Sequence, residues 1–225
     1  MAVAGQYSFT TKQGVTFQVL STGLLTSASD TTDFGLFTIS TTSTGAAHLP
    51  FPVTVYNAKY TSMVVSADGN IEMGTTGTEA FTNQVLPTPD FQSAALCVYW
   101  DDLWYDPSNT SNGAPQGIYT QVSGTKPHRT FIISFQGTIW PGNTTYQTLA
   151  QVVFKEGSLT IRYRYGAPDD QSATLGVNGS ASETIGTQGP GGRHGHSTTV
   201  TVNPGSPGAI QAGEQITFTH YFNHK

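Results

Sequence analysis

The stretch Tyr99-Trp100-Asp101-Asp102-Leu103-Trp104-Tyr105-Asp106 sets three carboxylates among four large aromatic side chains. A carboxylate beside aromatic rings needs a partner, because taking the charge out of water without one is costly. Two adjacent acids would act as general acid and base only if they shared a face, and neighbours along a strand point to opposite faces. A glycosidase-like hydrolase built on Asp101 or Asp102 therefore needs a second acid from elsewhere; Glu72, Asp90 and Asp169 exist, but no spacing marks them. Calcium suits the stretch better, since Asp101, Asp102, Asp106, Ser108 and Asn109 are hard oxygen donors on a strand end and its following loop. The glycine-punctuated spacing of an EF-hand loop is missing. The plainest expectation is structural: one Asp accepts backbone N–H groups at a tight corner while the aromatics pack on the core.

Three other sets of residues invite chemistry. Trp104, Tyr105 and Trp140, with Asp and Asn in adjoining loops, offer flat faces and hydrogen-bond groups of the kind that bind carbohydrate, whereas Trp100 reads as core. In Arg193-His194-Gly195-His196, residues two apart in an extended segment face the same way. His194 and His196 could thus reach one metal ion, or make association depend on pH between about 5 and 7. No third ligand is identifiable. The single cysteine, Cys97, excludes an internal disulfide and lies in the apolar run Ala94 to Trp100. It is either a small buried hydrophobe or the source of an intermolecular disulfide.

Asn109, Asn143 and Asn178 each head a glycosylation acceptor pattern, a number that Ser/Thr-rich composition produces readily by chance. There is no Gly-x-Ser-x-Gly elbow, no phosphate-binding glycine loop, no dinucleotide fingerprint and no His-Glu-x-x-His. The expectation is a protein without catalytic activity.

Composition narrows the class further. The chain has 225 residues, of which 10% are charged, against about 25% in an average soluble domain. With Lys+Arg at 9, Asp+Glu at 14 and a net charge of -5, the totals predict no cationic footprint for nucleic acid. No apolar run approaches the roughly 18 residues that span a bilayer, and Met1 to Gln6 carries neither the basic nor the apolar stretch of a secretory leader.

The elements that would position these residues are strands. Gly (25) and Pro (12) interrupt the chain at short intervals, and β-branched and aromatic residues fill the gaps. Leu159 to Tyr165 alternates apolar and polar side chains without error, which places Arg162 and Arg164 together on the wet face. Ala150 to Phe154 leads into Lys155-Glu156-Gly157-Ser158, a tight hairpin connection to that strand. Further strands are expected at Val15–Leu20, Asp33–Ser40, Phe51–Tyr56, Ser62–Ser66, Ile71–Met73, Ala94–Tyr99, Ile118–Val122, Thr130–Gln136, Ala173–Val177 and Thr198–Val202, with Ile216, Phe218 and His220 on one face near the end. Asp106–Gly117 and Gly186–Ser197 read as loops. The pattern predicts one all-β domain over residues 1–225, an antiparallel β-sandwich with jelly-roll-like or Greek-key connections.

Phe51-Pro52-Val53-Thr54-Val55-Tyr56, then Tyr60-Thr61-Ser62-Met63-Val64-Val65-Ser66 and the turn Asp68-Gly69-Asn70, resembles the opening of secreted nidogen-like domains. The order that follows agrees: an apolar strand ending in Tyr99-Trp100-Asp101-Asp102-Leu103, then Gly117-Ile118-Tyr119-Thr120, then Arg129 to Phe135, then a strand pair split at Glu156-Gly157, then Ala173 to Val177. The resemblance spans roughly residues 50 to 220, and the first 45 residues carry none of it. Asn57 stands where a glycine is usual, and Asp68 where Asn often precedes the Gly; both suit turns. The resemblance implies an extracellular, non-catalytic β-sandwich of matrix, adhesion and secreted microbial proteins. The expected function is a secreted structural or adhesive module, self-assembling or binding a matrix protein, cell-surface protein or glycan. Lectin-like carbohydrate binding is the alternative, and the hydrolase comes last.

Overall fold

The computed structural model describes residues 6–27, 32, 34–56, 58–84, 86, 88–139, 147–167, 173–178, 186–188, 197–201 and 210–221. In chain order the strands are β1 (Gln6–Lys12), β2 (Leu36–Ser40), β3 (Val53–Val55), β4 (Ala58–Tyr60), β5 (Ser62–Ser66), β6 (Asn70–Met73), β7 (Ala95–Trp100), β8 (Leu103–Trp104), β9 (Gly117–Ser123), β10 (Thr130–Ile139), β11 (Thr148–Lys155), β12 (Thr160–Ala167), β13 (Thr174–Asn178), β14 (Gly186–Gln188), β15 (Ser197–Thr201) and β16 (Gln215–Tyr221). A 3-10 turn at Gly45–Ala47 is the one helical element among the described residues.

Two seven-stranded sheets result. One runs β1-β16-β12-β11-β10-β8, with β9 also paired along β10; the other runs β14-β15-β13-β7-β6-β5-β2; β3 and β4 form a separate hairpin. Every pairing is antiparallel except β14 with β15. The sheets pack face to face as the expected sandwich. Phe131, Ile133, Val152, Ile161 and Phe218 from one meet Ile39, Val65, Leu96, Val98 and Leu175 from the other.

Tyrosines tie the two layers together. On β12, the Tyr163 hydroxyl donates to the Gly176 carbonyl at 2.8 Å and the Tyr165 hydroxyl to the Val98 carbonyl at 2.9 Å. Both carbonyls lie where the β13–β7 ladder shifts register, between Thr174 and Gly176, and a bulge of this kind leaves backbone groups for side chains to take. Burial pushes both hydroxyls well above the ordinary tyrosine range, so they remain donors.

The outer faces are covered by irregular chain. Over the β6–β7 face, residues 74–94 bring Leu86 and Phe91 onto Ala95, Cys97 and Trp100. Over β9–β10–β11, the segment before β2 packs Leu20 and Leu24 on Tyr119, Ile132 and Val153. The strand expected at Val15–Leu20 is therefore not a strand. It crosses the face of a finished sheet, where no backbone edge is on offer, and glutamine side chains act in its place. Gln136 on β10 accepts from the Leu20 N–H at 2.7 Å and donates to the Leu20 carbonyl at 2.9 Å, while Gln151 donates to the Gln18 carbonyl.

Other boundaries moved by a few residues. Asp33–Ser40 shortens to β2 and Phe51–Tyr56 to β3, the latter because Tyr56 turns into the left-handed region at φ 51. β1, β4, β8 and β14 were not expected. β1 nonetheless alternates legibly, with Tyr7 in the core and Ser8 exposed.

The hairpin at Glu156-Gly157 forms as expected, with Gly157 at φ 70. Its Glu156 carboxylate takes a two-pronged contact from Arg129, at 2.7 and 2.9 Å, and Arg129 lies 5.5 Å above the Phe51 ring. The Arg129 hydrogen bonds hold the Glu156 carboxyl at about 2, against 4.5 for the free group. Between those values the unfolded chain binds the extra proton. The pair's contribution is thus complete above about pH 4.5 and lost as pH falls towards 2. Thermal midpoints of the native protein and Glu156→Gln should differ by a constant amount above pH 5 and converge below pH 4. A difference that ignores pH would show that the charge on Glu156 contributes nothing.

Candidate functional site

The aromatic–acid stretch is a corner that carries the chain from one sheet to the other, since β7 belongs to one layer and β8 pairs with β10 in the opposite one. It is built against the β5–β6 turn. The Gly69 carbonyl accepts from both Val98 and Tyr99 N–H at 3.0 Å, and the Asp68 carbonyl accepts from the Asp101 N–H at 3.2 Å. The Tyr105 hydroxyl closes the corner by donating to the Ala67 carbonyl at 2.8 Å.

Within the corner the acids part company. Asp101 is buried, and its Oδ1 accepts from the Asp102 N–H at 2.9 Å, the structural arrangement expected for one of the pair. Asp102 is half-buried. Asp106 turns to its own loop and accepts from the Ser108 N–H and hydroxyl at 2.9 and 2.7 Å; Asn109 does the same for Ser111. Asp101, Asp102, Asp106 and Asn109 are not brought to one point, and among the described residues no three His, Cys, Asp or Glu side chains gather closely enough to hold a metal ion. Asp101 Oδ1, Asp106 Oδ1 and Asn109 Oδ1 are taken by backbone and hydroxyl groups, the ordinary use of Asx side chains in turns.

The proposed sugar-binding trio separates too. Tyr105 is 1% exposed and belongs to the core, so it has no face to offer a sugar; this corrects the expectation. Trp104 is half-buried on β8, and Trp140 lies outside the described residues. So do His194 and His196, and the Asp169 considered as a second acid. Glu72 is buried on β6, where its two oxygens accept from the Thr78 and Gln92 N–H groups and fasten residues 74–94 at both ends.

Cys97 is wholly buried beneath that same segment, and the intermolecular disulfide is set aside. Burial first, and the Glu72 carboxylate second, push its thiol well above the usual range, which suppresses the thiolate that disulfide exchange requires. Asn178 is likewise buried and accepts from the Thr88 N–H at 3.2 Å, a position no glycan could occupy; Asn109 is half-buried.

Two structural roles were missed at the sequence level. Asp68-Gly69 signalled a turn but not that β7 would lie upon it. Gln136 and Gln151 stood at outward positions of apolar strands, where a buried amide marks something packed on top.

The family described as NIDO related matches this chain over residues 6–220. The match begins at β1, so residues 6–45 are part of the pattern and not outside it. No curated protein and no solved structure matches the chain.

Proposed function

We propose that this chain, which belongs to the NIDO-related family, acts outside the cell as a non-catalytic structural module that works through surface contacts, with copies of itself among its partners. The buried carboxylates support the non-catalytic reading, since Asp101 and Glu72 accept backbone N–H groups and are not aimed at a cleft.

The observation that carries self-association is the outer edge of β2, which among the described residues is paired only at Ser40, by the bridge to His48. Hydrogen bonds from Ala67 N–H to Gly35 and from Thr41 N–H to Thr61 place the odd-numbered residues of β2 on the paired side. Antiparallel geometry then turns the N–H and C=O groups of Leu36 and Thr38 outward. No Asp, Glu, Lys or Arg occurs from Phe34 to Ala58, whereas natural edges are ordinarily guarded by charge or proline. Beside this edge Phe34 is 58% exposed, Leu36 42% and Phe81 50%, with the two phenyl rings edge to face at 6.5 Å. Two β2 strands meeting antiparallel about Phe37 would set Leu36 of one copy against Thr38 of the other and exchange four backbone hydrogen bonds.

Sedimentation velocity across a wide concentration range should therefore show association that Leu36→Lys weakens at least about tenfold, because two buried like charges would face one interface. Its melting temperature should stay that of the native protein. A native chain that stays monomeric at the highest concentration would remove self-association from the reading.

A further inference from the structure

One face of the sandwich stays open. The segment that covers β9–β10–β11 touches the outer surface of β12 only at its end, where Phe17 packs on Gly166, and beyond it the outward side chains of β1, β16 and β12 are polar in regular rows. Register puts Lys12, Gln215 and Arg164 in one cross-strand row and Thr10, Thr217 and Arg162 in the next. A third row holds Ser8, Thr219 and Thr160. The core positions between them, Tyr7, Ile161, Tyr163, Ile216 and Phe218, point inward, so these residues point out. Lys155, at the end of β11, shares the outward side with Val153 and is exposed.

Four of the chain's 9 Lys and Arg thus meet on this face, and none of its 14 Asp and Glu occupies these positions. Arg164 donates to the Gln215 side chain at 3.0 Å, and Gln215 in turn to the Thr217 hydroxyl at 3.2 Å, which holds the guanidinium against the sheet. Partial burial, and second the neighbouring Arg162 charge, draw the Arg164 guanidinium below its usual range. Among the described residues the one ion pair within 4.0 Å is Arg129 with Glu156, elsewhere in the fold.

We propose that this face binds an acidic polysaccharide, its carboxylate or sulfate groups resting on Lys12, Lys155, Arg162 and Arg164. Charge complementarity requires an anion, and guanidinium groups favour the planar or multi-oxygen anions that such chains carry. The rows of hydroxyl and amide groups, about 4.8 Å apart across strands and roughly 6.8 Å along them, suit a ligand that is itself covered in hydroxyls. The same rows expose no aromatic ring on which a nucleic-acid base would stack. Among the described residues these rows carry no large apolar side chain to enter a lipid surface.

The assignment deepens the reading of the chain as a surface-contact module and names a partner for it. Surface plasmon resonance on the full chain would compare dextran sulfate and polygalacturonate with neutral dextran, polyglutamate and single-stranded DNA. Binding should be confined to the two acidic polysaccharides and should weaken as salt rises. It should fall about tenfold in Arg162→Gln/Arg164→Gln, since each exposed charge pair contributes up to about 1 kcal/mol. Arg162→Gln alone, which leaves the Arg164–Gln215 bond in place, should show part of that loss with an unchanged melting temperature. No affinity for either acidic polysaccharide, or equal affinity for polyglutamate and DNA, or indifference to both arginine variants, would each overturn the proposal. Sedimentation separates it from self-association: a monomer that binds dextran sulfate sinks only the latter, and an assembling protein that binds neither acidic chain sinks only the polysaccharide.

Discussion

Gly69→Ala should destabilise the protein by about 4 kcal/mol, a large part of the roughly 5–15 kcal/mol that holds a domain folded. Gly69 sits at φ 73 in the β5–β6 turn, where an L side chain is strained by about 1–2 kcal/mol. Space is the greater obstacle: a β-carbon there would lie 2.0 Å from the Tyr99 carbonyl oxygen and 2.7 Å from its carbon. Backbone cannot swing aside as a flexible side chain can, so the turn must lift away from β7. Lifting it breaks the bonds from Val98 and Tyr99 N–H to the Gly69 carbonyl and loosens those from Asp101 to Asp68 and from Tyr105 to Ala67. Each costs about 1 kcal/mol or more when a buried group is left unmatched. Urea denaturation of the variant checks this. A loss under 1 kcal/mol would mean that the corner yields without cost, and the turn would then not be what positions Asp101.

Gln136→Ala should cost about 3 kcal/mol and should do so locally first. Its amide stands in for a missing strand, satisfying both the N–H and the C=O of Leu20, a residue 2% exposed. The Ser134 hydroxyl donates to the same amide oxygen at 3.1 Å, and Gln151 donates to Ser134 at 3.1 Å and to the Gln18 carbonyl, so one substitution opens a chain of four groups. An unmatched buried backbone group costs about 1–3 kcal/mol, and Leu20 loosens from Tyr119, Ile132 and Val153 as well. Hydrogen exchange at the Leu20 amide should accelerate well before global unfolding does. Unchanged protection at Leu20 in the alanine variant would show that the segment is held by its apolar contacts alone.

Legibility in the sequence followed the range of the interactions. The Lys155–Ser158 hairpin, β5 and the alternation of β12 were readable because period and turn chemistry act within a few residues, and the family pattern supplied the order of strands. One aspartate at a backbone corner was likewise readable, since Asx turns are local. The fates of Tyr105 and Cys97 were not. Alternation says that successive side chains take opposite faces, but it is silent on whether a face meets solvent, the other sheet or a segment from far along the chain. Cys97 lies under residues 74–94, and Tyr105 reaches the carbonyl of Ala67, 38 positions earlier. Val15–Leu20 misled for the same reason: its pattern suits a strand, yet the sheet it meets had only side-chain amides to give.

The amino-acid order by itself determined an all-β chain, its principal strands, the inward and outward sides of β12 and the family to which it belongs. Only the tertiary structure decided that Asp101, Asp106 and Asn109 take separate partners, that among the described residues no strand pairs with β2 beyond Leu36 and Thr38, and that Lys12 and Lys155 join Arg162 and Arg164 on one face. Total charge is a sum over the chain, and a sum of -5 conceals a cationic patch. Strand register, set by backbone hydrogen bonds between residues more than two hundred positions apart such as Tyr7 and His220, determines where each charge stands.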